Sequence, residues 1–314
     1  MWFNNALIYQ YEIEQPADLT SLLANEALKP CPPHARFIYG WAPAFADELV
    51  QETSGSSLIT LGKEERILPR GVINRLLGER IQAIEAQQGR AVKRTEKAQL
   101  AEELEFELLP KSFCLQKRLP AILDHVSKRL FINTASNTQA AQLTSLLRKT
   151  IPSIRIEPIQ YSENLAMHFA NWISNPTSLP ASFTLASDCL LISLEDEKKR
   201  FTCKGYELPA EEILTLLSQG LAAAEISVIW NERIQLTLTH DLTFKRIKCL
   251  DYLIDEFNEI GQYDEAYEQQ DAALTLLSGE LRSLTDDLLA ALAEDKTAVI
   301  LDQPAQRLEE ASPF

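Results

Sequence analysis

The sequence predicts an α+β fold with largely antiparallel sheets, and three observations carry that reading. Strand-like and helix-like stretches group as β-α-β-β near the start and as β-β-α-β-β further on, without the sustained alternation that builds a parallel sheet. Hydrophobic residues at 46% and charged residues at 24% are the composition of a folded globular chain. At 314 residues the chain exceeds what one hydrophobic core usually serves, so two or three lobes are expected.

"WFNNALIYQYEI" reads as a strand, and "PADLTSLLANEAL" as a helix opened by Pro16. "ARFIYGWAP" and "SSLITLGKEERILP" follow as strands. From Leu68 the period changes: Val72, Ile73, Leu76, Leu77, Ile81 and Ile84 have the 3-4 spacing of one helical face, with Pro69 at the first turn. Gly89 punctuates, and "KRTEKAQLAEELEFELL" reads as a second helix stopped by Pro110. Two helices joined by a short polar turn make an αα-hairpin. At 1.5 Å per residue a helix of about 19 residues is roughly 28 Å long, enough to project as an arm.

Further on come a strand "KRLFINTA", a helix "NTQAAQLTSLLRKTI" with Asn137 as its expected N-cap, a strand "IRIEPIQ" and a helix around "ENLAMHFANWI". Strands "DCLLISL" and "KRFTCKGYEL" flank a turn containing Glu195, Asp196 and Glu197. After the helix "PAEEILTLLSQGL", three strands fill residues 225–250. Strict alternation there places Lys245 on one face, with Arg246 and Lys248 on the other. From about residue 250 the chain is helical; its stripe of Leu274, Leu276, Leu277, Leu281, Leu284, Leu288, Leu289 and Leu292 must be covered by the body or by a second subunit, and acids such as Asp286, Asp287, Glu294 and Asp295 are expected on the solvated face.

Charge is segregated. Residues 60–130 carry 14 basic and 10 acidic side chains, whereas 251–314 carry 3 and 16, within a net charge of -15. Fields act within a Debye length of roughly 8 Å, so a local basic surface can bind a polyanion although the whole protein is an anion. Arg90, Lys93, Arg94 and Lys97 cluster at the expected turn of the hairpin, either as an ordinary solvated turn or as a binding tip. Aromatics are sparse in that block, Phe106 and Phe113 alone, which favours duplex backbone over single strands as the polyanion. Phe113 itself fits either a core residue or an exposed anchor in a subunit contact.

Other chemistry is weakly represented. The 5 cysteines are scattered and form no C-x-x-C, and the 4 histidines show no i, i+4 pair, so neither a disulfide framework nor a zinc site is indicated. With 10 glycines and neither G-x-x-x-x-G-K-[ST] nor G-x-G-x-x-G, no nucleotide-cradling loop is indicated and no cofactor is expected. The first residues lack a basic n-region and no apolar run reaches about 18 residues, so a cytoplasmic protein without a membrane partner is expected.

Nine stretches taken together resemble the bacterial recombination-associated protein RdgC family: "MWFNNALIYQYE", "FIYGWAP", "KEERILPRGVI", "KRTEK", "LLPKSF", "LLRKTI", "WNERIQL", "FKRIKCLD" and "LSGEL", in family order and across nearly the whole chain. The resemblance implies a nucleoid-associated DNA-binding protein, not an enzyme. It implies a horseshoe-shaped subunit: a central region at 1–66 and 123–175, a tip arm at 67–122, and a base region at 176–314 with an acidic helical tail. Two copies would meet at both ends as a homodimeric ring around double-stranded DNA, without sequence preference, and restrain the recombinase RecA. Arg75, Arg80, Arg90, Lys93, Arg94, Lys97, Lys111, Lys117 and Arg118 form the pool from which the DNA-facing lining is drawn. "LLPKSF" matches the tip contact and makes Phe113 its latch. The base contact falls at Lys204, Gly205 and Tyr206, where Gly205-Tyr206 depart from the family pattern. The alternative function is a scaffold acting directly on the recombinase or the replication machinery.

Overall fold

A computed structural model describes residues 2–13, 18–159, 161, 164–196 and 198–301, with side chains to residue 293. Pro16, Glu197 and the side chains of Glu294 and Asp295 lie outside the described residues. The first half of the chain runs β1 (Leu7–Ile13), α1 (Leu19–Asn25), β2 (Phe37–Ala42), β3 (Val50–Glu52), β4 (Ser56–Ile67), α2 (Arg70–Gln88), α3 (Arg94–Leu108), β5 (Phe113–Asp124), β6 (Arg129–Ile132), α4 (Asn137–Thr150) and β7 (Ile154–Pro158). The second half runs α5 (Leu165–Ser174), β8 (Phe183–Ser193), β9 (Arg200–Cys203), α6 (Glu211–Ser218), β10 (Leu221–Trp230), β11 (Ile234–Thr239), β12 (Phe244–Cys249), α7 (Asp251–Ile260) and α8 (Ala266–Leu301).

The strands form two antiparallel sheets. One has seven strands in the order β2-β4-β5-β6-β1-β7, with β3 also paired to β4; the other has five in the order β12-β11-β10-β8-β9. They are stitched where Ala6 and Phe244 exchange backbone hydrogen bonds at 2.8 and 2.9 Å. Alternation along the seven-stranded sheet feeds two cores. Leu7, Ile59, Ala121, Leu123, Leu130 and Ile132 face α1 and α4, whereas Ile8, Leu58, Ile122 and Phe131 join the larger core under α5, α8 and the five-stranded sheet. Of the eight leucines in the α8 stripe, the body covers six in this core, Leu276 packs against it half-buried, and Leu289 is half-buried outside it.

Several local expectations change. Asp18 caps α1, its carboxylate accepting from Ser21 N, and Ser136 rather than Asn137 caps α4, accepting from Gln139 N. Arg246 has φ 54°, and the register between β11 and β12 shifts between Gln235 and Thr237. This bulge breaks the alternation, so Lys245 and Arg246 share a face, both reaching Glu225 at 2.8 and 3.8 Å. The α8 acids are not merely solvated: Asp286 pairs with Arg129 at 2.5 Å and Asp287 accepts from the Trp230 indole at 2.7 Å.

Behind the junction of the cores, His125 is held between the Tyr11 hydroxyl and the Ser57 hydroxyl, each at 2.7 Å. Burial, then the charge of Lys128, lowers the His125 pKa from its ordinary value, Asp124 and Glu52 opposing weakly. The unfolded chain therefore takes up this proton at a higher pH than the folded one. Stability is complete above the ordinary histidine value of about 6.5 and falls as pH drops from there to the lowered folded value. Urea midpoints measured across that window are expected to decline, and His125→Gln is expected to flatten the decline; an unchanged slope in the variant would show that His125 does not set it.

Candidate nucleic-acid interface

The basic block is organised by one long ribbon. β4 and β5 pair without a register shift from Ser56↔Asp124 to Ile67↔Phe113. Their lower halves are buried between the cores and their upper halves, from Lys63 and through Arg118, are not. α2 and α3 are inserted between the upper strand ends. α2 buries no residue and α3 only Leu104, so the 3-4 apolar stripe read from sequence is real but only partly covered. Gly89 ends α2 with φ 63°, the left-handed conformation that favours glycine, and Val92 N donates to the Glu85 carboxylate at 2.9 Å to close the turn.

The foot of the insert is fixed by Arg66. Its guanidinium donates to the carbonyls of Cys31 at 2.9 Å, Pro32 and Leu109 at 3.1 Å, and Ser112 at 3.4 Å, tying the loop before β2 to the end of the insert. An Arg36–Glu105 ion pair and a stacked His34–Phe106 contact at 4.0 Å add to the same joint.

The nine candidate DNA-binding residues divide by environment. Arg75 is held by Glu79 at 2.8 Å, Arg80 by Glu107 at 3.2 Å, and Arg90 by both oxygens of Glu96 at 2.9 and 3.0 Å. Lys117 bonds Glu65 at 3.0 Å, and Arg118 donates to the Pro43 carbonyl at 2.6 Å. As neighbours on β5, Lys117 and Arg118 point to opposite faces of the sheet. Lys93, Arg94, Lys97 and Lys111 make no ion pair among the described residues. The first three sit at the N-terminal end of α3 and Lys111 in the turn before β5. Phe113 opens β5 with 85% of its surface exposed.

The strand register also assembles a groove that charge counting in sequence blocks missed. It holds about 820 Å³ between β2, β4, β5 and the start of α2. Five cations line it, Arg36, Lys63, Arg66, Arg70 and Lys117, against the two carboxylates Glu65 and Glu105. Hydrogen bonds from Lys117 and then Lys63, each at 3.0 Å, keep the Glu65 carboxyl below its ordinary pKa. Phe37 and Tyr39 stand on the same face, 5.4 Å apart in an edge-on arrangement, with Lys63 Nζ 4.7 Å from the Phe37 ring centre. The signal was present in "KEER": alternation puts Lys63 and Glu65 on one face of β4, but only pairing with β2 reveals which aromatics join them.

The open face of the five-stranded sheet is electrostatically neutral by comparison. A cavity of about 220 Å³ there is lined by Arg200 and Lys245 against Glu225 and Asp241. At the other end of that sheet, Lys204, Gly205 and Tyr206 follow the edge strand β9. Gly205 has φ 71° and donates its N–H to Asp188 at 3.0 Å, and Tyr206 N–H donates to the Ser187 carbonyl at 3.0 Å. The Tyr206 ring is half exposed.

A family model described as "Putative exonuclease, RdgC" matches residues 1–295. The chain belongs to the RdgC family. Relatives named recombination-associated protein RdgC match over nearly their whole lengths. The one from Edwardsiella ictaluri is 32% identical over 298 residues, covering 93% of this chain and 98% of its own. That from Psychromonas ingrahamii is 32% identical over 303 residues, 95% and 100%, and that from Proteus mirabilis 30% over 298 residues, 93% and 98%. In this RdgC family member no helix among the described residues is long and apolar enough to cross a membrane. Among the same residues no three histidine, cysteine or acidic side chains are grouped to hold a metal ion.

Proposed function

We propose that the chain binds double-stranded DNA without sequence preference, closing around it as a homodimeric ring, and so restrains RecA during recombination. The observation that carries this is the group Lys93, Arg94, Lys97 and Lys111, cations without an ion pair among the described residues, on an insert whose two helices bury Leu104 alone. Phosphate neutralisation with release of condensed counterions asks for cations of this kind and needs no base-reading helix. The names of the relatives place them in recombination, a process carried out on DNA.

Affinity for a labelled duplex, titrated at several salt concentrations, tests the proposal. With about 8 phosphates contacted, log K against log salt should have a slope of about -7, and raising salt from about 50 to 200 mM should cost on the order of 10⁴ in affinity. A weak, salt-independent response would support the alternative of a scaffold acting on the recombinase or replication machinery. The description of the family model favours one further reading, an exonuclease. Shortening of an end-labelled duplex on adding magnesium would establish that activity.

Phe113 is proposed as a latch between two copies. At 85% exposure it contributes nothing to its own core, so Phe113→Ala should leave thermal stability within about 0.5 kcal/mol while shifting sedimentation towards the monomer. A variant that stays dimeric at every concentration would remove Phe113 from the contact.

A further inference from the structure

We propose that the groove at the root of the helical insert docks an extended acidic peptide of a partner protein, which adds as a further strand to the outer edge of β2. The proposal goes beyond the duplex reading and does not depend on it.

The edge is the first observation. β2 ends the strand order of the seven-stranded sheet and is paired on one side, by β4. Arg66 N–H donates to the Arg36 carbonyl at 2.8 Å, so residues 36 and 66 form a hydrogen-bonded pair. Alternation then turns the backbone groups of Ile38 and Gly40 towards β4 and those of Phe37, Tyr39 and Trp41 outward. Trp41 fixes the phase: its N–H donates to the Glu26 carbonyl and its carbonyl accepts from Leu28 N–H, both at 2.8 Å. Phe37 and Tyr39 have no such backbone partner among the described residues, so a stretch of ladder stands open beside the groove. Unpaired edge groups are a template for an incoming strand.

Charge selects the occupant. Five cations against two carboxylates line the groove, a surplus of three positive charges in a chain of net charge -15. Arg70 makes no ion pair among the described residues. It opens α2, whose first turn has no side-chain cap and no acid, so the helix end adds to the preference for carboxylates. The cavity on the five-stranded sheet, balanced at two against two, has no such surplus.

Much of the remaining wall is apolar. Phe37, Ile67 and Leu115 are 49%, 44% and 45% exposed there, and cross-strand register sets Phe37, Glu65 and Leu115 in one row. Uncovered aliphatic groups gain from apolar peptide side chains, and the open edge gains from a peptide backbone. A nucleic-acid strand offers phosphates to the cations but has no backbone amides with which to extend a sheet.

The test uses the full chain and labelled peptides in fluorescence anisotropy. The probe repeats Glu-Thr-Val-Thr, which in an extended strand sets glutamate and valine on one face. It should bind, and its analogue N-methylated at every amide, with the same side chains and charge, should bind at least about tenfold more weakly. An analogue with lysine for glutamate should show no measurable binding. Arg70→Glu should weaken the glutamate probe about tenfold and keep the fold, because Arg70 is exposed. Equal binding of the N-methylated or the lysine analogue overturns the proposal, as does failure of the glutamate probe to bind. If an oligothymidylate then binds and loses affinity in Arg70→Glu, the groove belongs to nucleic acid instead. A shift of Arg70→Glu to smaller species in sedimentation would assign the edge to a second copy of the chain and equally overturn the proposal.

Discussion

Reversing Lys93 and Arg94 to glutamate together is expected to lower duplex affinity on the order of 10²-fold at about 0.1 M salt and to make the salt slope shallower by about 2. The magnitude follows from counterion release: each phosphate contact contributes about 0.9 to the slope, hence about 0.9 decades of affinity at that salt. Among the described residues neither side chain is committed to an ion pair, although Glu96 feels the Lys93 charge, so both remain open to a ligand. Arg75→Ala is the contrasting control, because Glu79 already holds that guanidinium at 2.8 Å and its removal should cost far less. Both residues are exposed, so the reversal should leave the fold intact by circular dichroism. Wild-type affinity and slope in the double variant would show that the end of the insert does not meet DNA.

The second large effect is on stability. Asp124 ends β5 fully buried, and Arg282 of α8 donates to it twice, from Nε at 2.8 Å and Nη2 at 2.6 Å. Val126 N and Ser127 N add bonds at 3.3 Å, and the Ser127 hydroxyl also donates. Burial alone would raise the Asp124 pKa; the bonds from Arg282 and Ser127 outweigh it and lower it, so this carboxylate stays ionised in the folded protein. Asp124→Ala leaves a guanidinium without its counter-charge. Breaking a buried pair from one side costs roughly 3–5 kcal/mol, and the low end applies because the Arg282 side chain is 25% exposed and can reach water. A loss of about 3 kcal/mol should lower Tm by about 5 °C, at about 2.1 cal/mol/K of unfolding entropy per residue. Adding Arg282→Met to Asp124→Ala should recover part of that loss, since no lone charge then remains. Strictly additive losses would mean that the two residues act independently.

Much of the architecture was legible because it depends on local rules. Pro69, Gly89 and Pro110 punctuate α2 and α3 where sequence placed the breaks, and most of the leucine stripe of α8 is buried as its period required. What escaped depends on register. Lys117 meets Glu65 through cross-strand pairing between β4 and β5, and Phe37 and Tyr39 reach the same face only through β2. No count of charges along the chain brings residues 37 and 117 together. The bulge at Arg246 escaped for a related reason: a left-handed arginine is set by its surroundings in the sheet, not by its own preference. The pairing of Asp287 with Trp230 was hidden because an acid on a helix face reads as solvated until something basic or protic is packed against it.

The β4–β5 ribbon has a mechanical consequence. Its uninterrupted ladder runs from Asp124, clamped to α8, to Phe113, roughly 37 Å away at about 3.4 Å per residue. Such a strut resists stretching, so a load applied at the helical tip is passed down the ladder towards the end where α8 packs on the sheet and grips Asp124. The molecule is built like a lever whose fulcrum is the sheet and whose anchorage on α8 includes the Asp124–Arg282 ion pair.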